Sequence, residues 1–334
     1  MKPSLNESPR IAAPGYSNRV AYSALAAVCL FWGTTYLGIR IALESLPPLY
    51  LIAIRYTISG GILLIAAKLG RFHLPRGREL FHTALCGVIC IGIGNGFLAI
   101  AELVIPSGLA ALFYTTAPFW MVGIDALLPA GKRPLAATLA GLGIGFSGVA
   151  FLVLPAVRHE GLGGHTLYGF LLLQVSAVGW VFGSLLQKRV QARALPIVSG
   201  AVQQFAAGLA MFVPAAYFEH LPHAVSLRSE AALVYLVVFG SIVGFTSFIY
   251  SMTHLPVAIV SIYTFVNPVV AVWLGWVFFR EPFGARELTA MLIIFGGIAF
   301  VRWSEAKRHE PLSLPAIEEA GIGDEPDARN RLAP

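Results

Sequence analysis

Ile105-Pro106-Ser107-Gly108-Leu109 leads on to Phe113-Tyr114 and Ala117-Pro118, and the pattern returns as Leu255-Pro256-Val257-Ala258-Ile259 leading on to Tyr263-Thr264 and Asn267-Pro268. Both prolines recur after the same 150 positions, 106 to 256 and 118 to 268. Nearer the N-terminus, Trp32 and Leu46-Pro47 are echoed by Trp180 and Leu195-Pro196, at shifts of 148 and 149. Self-similarity at a fixed long period marks the duplication of a whole structural unit.

Long, continuously apolar tracts make up most of the sequence around these landmarks. Of 334 residues, 57% are hydrophobic and 12% charged, against about a quarter charged in a soluble domain. A bilayer core of ~30 Å needs about 20 apolar residues of helix. Ten tracts meet that length, at roughly 21–43, 48–68, 83–103, 107–129, 134–155, 167–188, 196–218, 232–253, 256–279 and 286–303. A membrane barrel would alternate apolar and polar residues, and these tracts do not. The expected fold is therefore an all-α integral membrane protein of ten transmembrane helices. Five is odd, so the second copy enters the membrane from the opposite side, giving two inverted five-helix repeats. Turns are tight at Leu46–Pro48, Pro106–Gly108 and Leu255–Pro256. Proline at a helix start loses nothing, because its missing N–H would be unpaired there anyway.

A net charge of +6 invites a nucleic-acid partner, but the basic residues sit in short loops between the tracts. Membrane orientation explains them better. Seventeen of the 23 lysines and arginines fall on the side of the N-terminus. Five (Arg40, Arg158, Arg228, Arg280 and Arg286) fall on the other, and Arg55 is within a span. Both termini are then cytoplasmic. The polar stretch 1–19 reads as a cytoplasmic tail, and 305–334 as a disordered cytoplasmic tail rich in Glu, Asp, Ala and Pro. Cys29, Cys86 and Cys90 lie inside apolar tracts and read as packing residues. No zinc spacing is present, and no metal or cofactor is expected.

Trp32-Gly33-Thr34-Thr35-Tyr36, Leu46-Pro47-Pro48 and Ile54-Arg55-Tyr56 resemble the opening of EamA-type proteins of the drug/metabolite transporter superfamily. Gly94-Asn95-Gly96, Ala101-Glu102, the stretch 106–111 and the stretch 267–271 are similar in the same way. Phe279-Arg280-Glu281-Pro282 resembles the signature before the family's last helix, whereas the first-half counterpart, Ala130-Gly131-Lys132-Arg133-Pro134, lacks the glutamate. The resemblance covers about 20–304. It implies EamA-type five-helix repeats at 20–156 and 167–304 and a secondary transporter of the bacterial cytoplasmic (inner) membrane. It also implies export of small metabolites such as amino acids or drug-like compounds. The inverted repeats supply alternating access, with the substrate site at their interface near mid-membrane.

Polar groups within the bilayer are costly and mark the places where chemistry is done. Arg55 lies seven residues past Pro48, on the order of 10 Å deep at 1.5 Å per residue. It attracts a carboxylate on the substrate, pairs with Glu102, or snorkels to the outer interface. Asn95, flanked by Gly94 and Gly96 and seven residues before Glu102, contacts substrate or makes an interhelical hydrogen bond. Glu102 is the candidate for proton coupling, or else a solvated helix end. Gln204, beside Gln203, is the counterpart of Arg55 under the 149 shift. A cation facing a neutral amide suits a substrate with one anionic end and one neutral polar part. Trp32, Tyr36, Tyr114, Trp180, Tyr250 and Tyr263 are candidates to line the cavity. The expected substrate contacts are thus Trp32, Arg55, Asn95, Tyr114, Trp180, Gln204, Tyr250 and Tyr263. Trp273, Trp276 and Trp303 are assigned to lipid or the interface.

Asp125 is expected to pair with Lys132 or Arg133, and Pro118 and Pro268 to bend their helices. Gly141 and Gly145 form a small-residue strip for packing within the bundle or between protomers of a homodimer. An intramembrane aspartyl protease needs two aspartates, and of Asp125, Asp324 and Asp327 two are in the tail. Neither a zinc-protease motif nor a nucleophile elbow occurs. A nucleotide-sugar antiporter would want several cavity cations, and Arg55 alone lies well inside a span rather than at its end.

Overall fold

The computed structural model describes residues 16–128, 136–161, 164–189, 193–255, 257–260, 262–281 and 283–308. The tail readings for 1–15 and 309–334, the stretch Ala130–Pro134, the partners Lys132 and Arg133, and Pro256 and Pro282 lie outside the described residues. Among the described residues the regular structure is helical throughout, with no strand. In chain order the helices are α1 (Tyr16–Ala42), α2 (Pro48–Leu69), α3 (Gly77–Ala101), α4 (Ser107–Leu127), α5 (Ala136–Glu160), α6 (His165–Arg189), α7 (Pro196–Phe218), α8 (Leu227–His254), α9 (Val257–Val260 and Tyr263–Phe279) and α10 (Ala285–Arg308). Eight of them, α1 to α8, are long and apolar enough to cross a membrane. The longer piece of α9 is apolar but shorter, at 17 residues.

The surface is inside-out by the standard of a water-soluble domain. Leu69, Val213, Phe218, Trp273, Trp276 and Trp303 are all exposed. Such a large apolar exterior needs an apolar solvent around it.

Glycines set the tightest packing. A β-carbon on Gly60 of α2 would overlap the Phe205 backbone of α7, and one on Gly208 of α7 would overlap the backbone of α2 at Thr57. The contact moves back along α7 as it moves forward along α2, so the two run antiparallel. The same rule joins α5 to α10, where Gly141 faces Val301, Gly148 faces Ile294, and Gly297 faces the Gly145 backbone. The strip of Gly141 and Gly145 is therefore occupied inside this chain. Its absent side chains let the backbones approach closely, which replaces the hydrophobic drive that lipid does not provide.

Helix starts are held from a distance. Pro47 and Pro48 provide no side-chain cap for α2. Instead Glu219, at the end of α7, accepts from the Leu49 and Tyr50 N–H groups at 2.9 and 3.0 Å. Glu281, just past α9, accepts from Ser107 N (2.8 Å), Ser107 Oγ (2.9 Å) and Gly108 N (2.9 Å) at the start of α4. A carboxylate suits a helix N-terminus because the exposed N–H groups and the helix dipole are both positive there. Both glutamates come from the second half and cap helices of the first.

Two helices contain π-helical turns, Val88–Ile93 in α3 and Leu236–Val243 in α8. Their last residues are 150 apart, the period of the sequence repeat, and such turns are frequent at functional sites. In α4 the helix breaks at Thr115 and Thr116, immediately before Ala117-Pro118, and these threonines turn their hydroxyls back onto the Leu112 and Phe113 carbonyls. Pro268, by contrast, sits within the continuous piece Tyr263–Phe279, and the interruption of α9 comes earlier, at Ile262.

Candidate functional site

The two π turns face a cavity of about 160 Å³ at the centre of the bundle. From α3 it takes Ile91 and Asn95, and from α8 it takes Ser241 and Phe245, positions again 150 apart. Trp32 of α1 and Trp180 of α6 enter from the two halves and meet edge to face, ring centroids 6.4 Å apart. Each packs on a glycine that follows the other half's π turn. A β-carbon on Gly244 would stand 2.6 Å from Trp32 Nε1, and one on Gly94 would stand 3.5 Å from Trp180 Cβ. Trp32 Nε1 also donates to the Gly240 carbonyl at 3.1 Å, fixing the indole against α8. Tyr263 also meets Trp32 edge to face, with ring centroids 5.3 Å apart.

Arg55 is the lone lysine or arginine among the described residues lining the cavity, and it is 2% exposed. It does not snorkel. Its Nε donates to Ser241 Oγ at 2.8 Å, and its guanidinium carbon lies 4.8 Å from the centre of the Tyr56 ring. Its Nη1 has no hydrogen-bond partner among the described residues. One turn further along α2, Ser59 Oγ donates to Gln204 Oε1 at 2.7 Å. That bond takes the acceptor of the amide and leaves Gln204 Nε2 without a partner.

Trp32, Arg55, Asn95, Tyr114, Trp180, Gln204 and Tyr263 all line the cavity. Asn95 also donates to the Ile91 carbonyl at 3.2 Å, within its own helix. Tyr250 is placed elsewhere: its ring stacks on His254 at 4.0 Å, beside the small cluster of Ala21, Leu25, Leu255 and Val260. The reason is helical phase. Tyr250 is five residues past Phe245, about 140° round the helix at 3.6 residues per turn. Glu102 is not a solvated helix end, because its exposure is 0%. It lies one turn past Leu98, a lining residue, and Arg40 donates to its backbone carbonyl. Neither carboxylate oxygen has a hydrogen-bond partner among the described residues. Arg55 and Glu102 are accordingly not joined as an ion pair.

Sequence reasoning left Ser241, Tyr56, Phe245 and Asn267 out of the candidate contacts, and all four line the cavity. The 150 shift held the signal for Phe245, because its counterpart is itself a candidate. Phe245 is the counterpart of Asn95, and Asn267 is the counterpart of Ala117.

A helical membrane bundle with a polar and aromatic cavity at its centre is the architecture of a small-solute transporter. The chain belongs to the EamA-like transporter family, which matches it over residues 19–154 and 167–303. It is 32% identical over 305 residues to the "Uncharacterized inner membrane transporter YedA" of Escherichia coli (strain K12), covering 90% of this chain and 96% of that one. It is 27% identical to the "Probable terminal-alkyne amino-acid exporter" of Streptantibioticus cattleyicolor, covering 87% and 96%. A solved structure titled "Crystal structure of protein" aligns with a TM-score of 0.61 at 24% identity, over 88% of this chain and 99% of that chain, and so shares the fold.

Proposed function

We propose that the chain is a secondary carrier of the bacterial inner membrane that exports small metabolites, such as amino acids or drug-like compounds, by alternating access. In this reading ten helices cross the membrane as two inverted five-helix repeats, 20–156 and 167–304, with both termini cytoplasmic. The observation that carries it is the cavity's lining, which draws repeat-equivalent positions from both halves: Trp32 with Trp180, Arg55 with Gln204, Ile91 with Ser241, Asn95 with Phe245. Two near-equivalent halves around one site can exchange roles, which provides inward-open and outward-open states from one frame. The inner-membrane location and the amino-acid cargo are supported by the names of the two relatives above. A cavity of about 160 Å³ with one cation favours a small solute over a nucleotide sugar with its two phosphates.

In this reading Glu102 couples transport to protons. It is a buried carboxyl with both oxygens unpartnered, one turn from the cavity. Uptake and efflux in proteoliposomes, with a panel of amino acids and drugs and with or without a pH gradient, test the whole proposal. Saturable flux above protein-free vesicles is the expected result. No flux of any solute would overturn it.

A further inference from the structure

We infer that the cavity selects a small monocarboxylate with an apolar or aromatic body, its carboxylate held between Arg55 and Gln204. This rests on the cavity's being the substrate site, as proposed above, and adds the chemistry of the solute. Four observations carry it.

The first is the sign of the unmet hydrogen bonds. Among lining residues the buried side-chain atoms without a partner are Arg55 Nη1 and Gln204 Nε2, and both are donors. Buried donors left unpaired are costly, so the fitting ligand is one that brings acceptors. The second is rigidity. Ser241 Oγ holds Arg55 Nε, and Ser59 Oγ holds Gln204 Oε1, so both groups are tethered beside the cavity before a ligand arrives. Arg55 and Ser59 are four apart on α2, which places Arg55 and the serine that holds Gln204 on one face of that helix. The guanidinium forks naturally onto two carboxylate oxygens.

The third is charge. No aspartate or glutamate is among the described lining residues. Glu102 is fully buried outside the lining, and its neighbour Arg40 is engaged with the Glu102 carbonyl. An ammonium group would find no carboxylate to pair with, so among the small metabolites proposed above the cavity favours carboxylates without an amino group over amino acids. The fourth is size and wall. The volume, about 160 Å³, is close to the ~150 Å³ of an apolar cavity that holds benzene. Trp32, Trp180, Tyr114 and Tyr263 supply aromatic faces for the body of such a molecule.

Three probes of one size separate the possibilities: benzoate, its neutral amide benzamide, and benzylammonium. Binding to the purified full chain is followed by the fluorescence of the tryptophans, two of which line the cavity. The expected order is benzoate tightest, by about ten-fold or more over benzamide, the lower end for hydrogen bonds to a charged group, with benzylammonium weakest. Arg55→Gln should bring benzoate down to the benzamide level while benzamide binding persists, which also reports that the variant is folded. Arg55→Lys should keep an anion preference, reduced by loss of the fork. If Arg55→Gln does not fold, Gln204→Leu serves, weakening benzoate several-fold more than benzylammonium because one of two donors is gone.

Equal binding of benzoate and benzamide by the unaltered protein would overturn the inference, as would a preference for benzylammonium. So would an Arg55→Gln protein that keeps the full benzoate preference. Counterflow in proteoliposomes, read as flux above protein-free vesicles, separates this inference from the carrier proposal. Flux of benzamide or benzylammonium without benzoate selectivity removes the carboxylate inference and leaves the carrier. Selective benzoate binding with no flux of any solute removes the carrier and leaves a carboxylate site.

Discussion

Gly60 and Gly61 are adjacent in α2, yet only one is spent on the contact with α7. A β-carbon at Gly60 would overlap the Phe205 backbone nitrogen and stand 2.7 Å from its Cα and 2.8 Å from its Cβ. A β-carbon at Gly61 would stand 3.7 and 3.8 Å from carbons of the same residue's ring, ordinary van der Waals contact. Alanine raises helix propensity over glycine by about 1 kcal/mol at either position. That gain cancels when the two variants are compared. What remains is steric. At Gly60 the obstacle is backbone, so no flexible side chain can yield and α2 and α7 must separate. Overpacking of this kind costs about 1–3 kcal/mol. Gly60→Ala should therefore be less stable than Gly61→Ala by that amount, with Gly61→Ala at or slightly above the unaltered protein. The assay is reversible unfolding in mixed micelles, titrated with a denaturing detergent and followed by tryptophan fluorescence. Equal stability of the two variants would refute the account of α2–α7 packing given above.

Three further outcomes are expected. Glu281→Gln keeps one of the two acceptor oxygens at the start of α4, removes the charge and sets an NH2 against a donor, and should lower stability in the same assay by about 1 kcal/mol or more; an unchanged transition would mean that the cap contributes nothing. Glu102→Gln should abolish the dependence of transport on a pH gradient while solute exchange without a gradient continues, and a retained dependence would remove the proton role. Gly240→Ala would place a β-carbon 2.8 Å from Arg55 Nη2 and 3.2 Å from Thr35 Oγ1. By displacing the guanidinium it should weaken benzoate binding about ten-fold and leave benzamide binding nearly unaltered, and an equal loss for both probes would sink that explanation.

Much of the site was legible because burial in a membrane is selective. A polar or charged residue far inside an apolar tract is costly, so Arg55, Asn95 and Gln204 stood out individually, and the repeat placed Arg55 against Gln204. Aromatic residues carry no such signal, since they are tolerated on any face. Tyr263 and Tyr250 are alike in sequence context, yet one touches Trp32 and the other stacks on His254. Ser241 was missed because one serine in a helix can satisfy itself on a backbone carbonyl. Its value here comes from Arg55, a residue 186 positions away. The π turns were equally hidden, because π and α turns draw on the same residue types and differ in backbone register alone.

By itself the sequence determined the apolar helices, their approximate ends, the 150-residue duplication and the scarcity of internal charge. Each follows from local composition and from the need of a helix in lipid to satisfy its own backbone. The tertiary structure decided which faces meet. Only packing shows that the glycines of α2 lie on α7 and those of α5 on α10. Only packing shows that Glu281 reaches across to cap α4, and that Arg55 and Gln204 are left with donors to spare. Those facts depend on distances between residues far apart in the chain. The duplicated landmarks mark the frame, and the unmatched polar groups within it mark the candidate site.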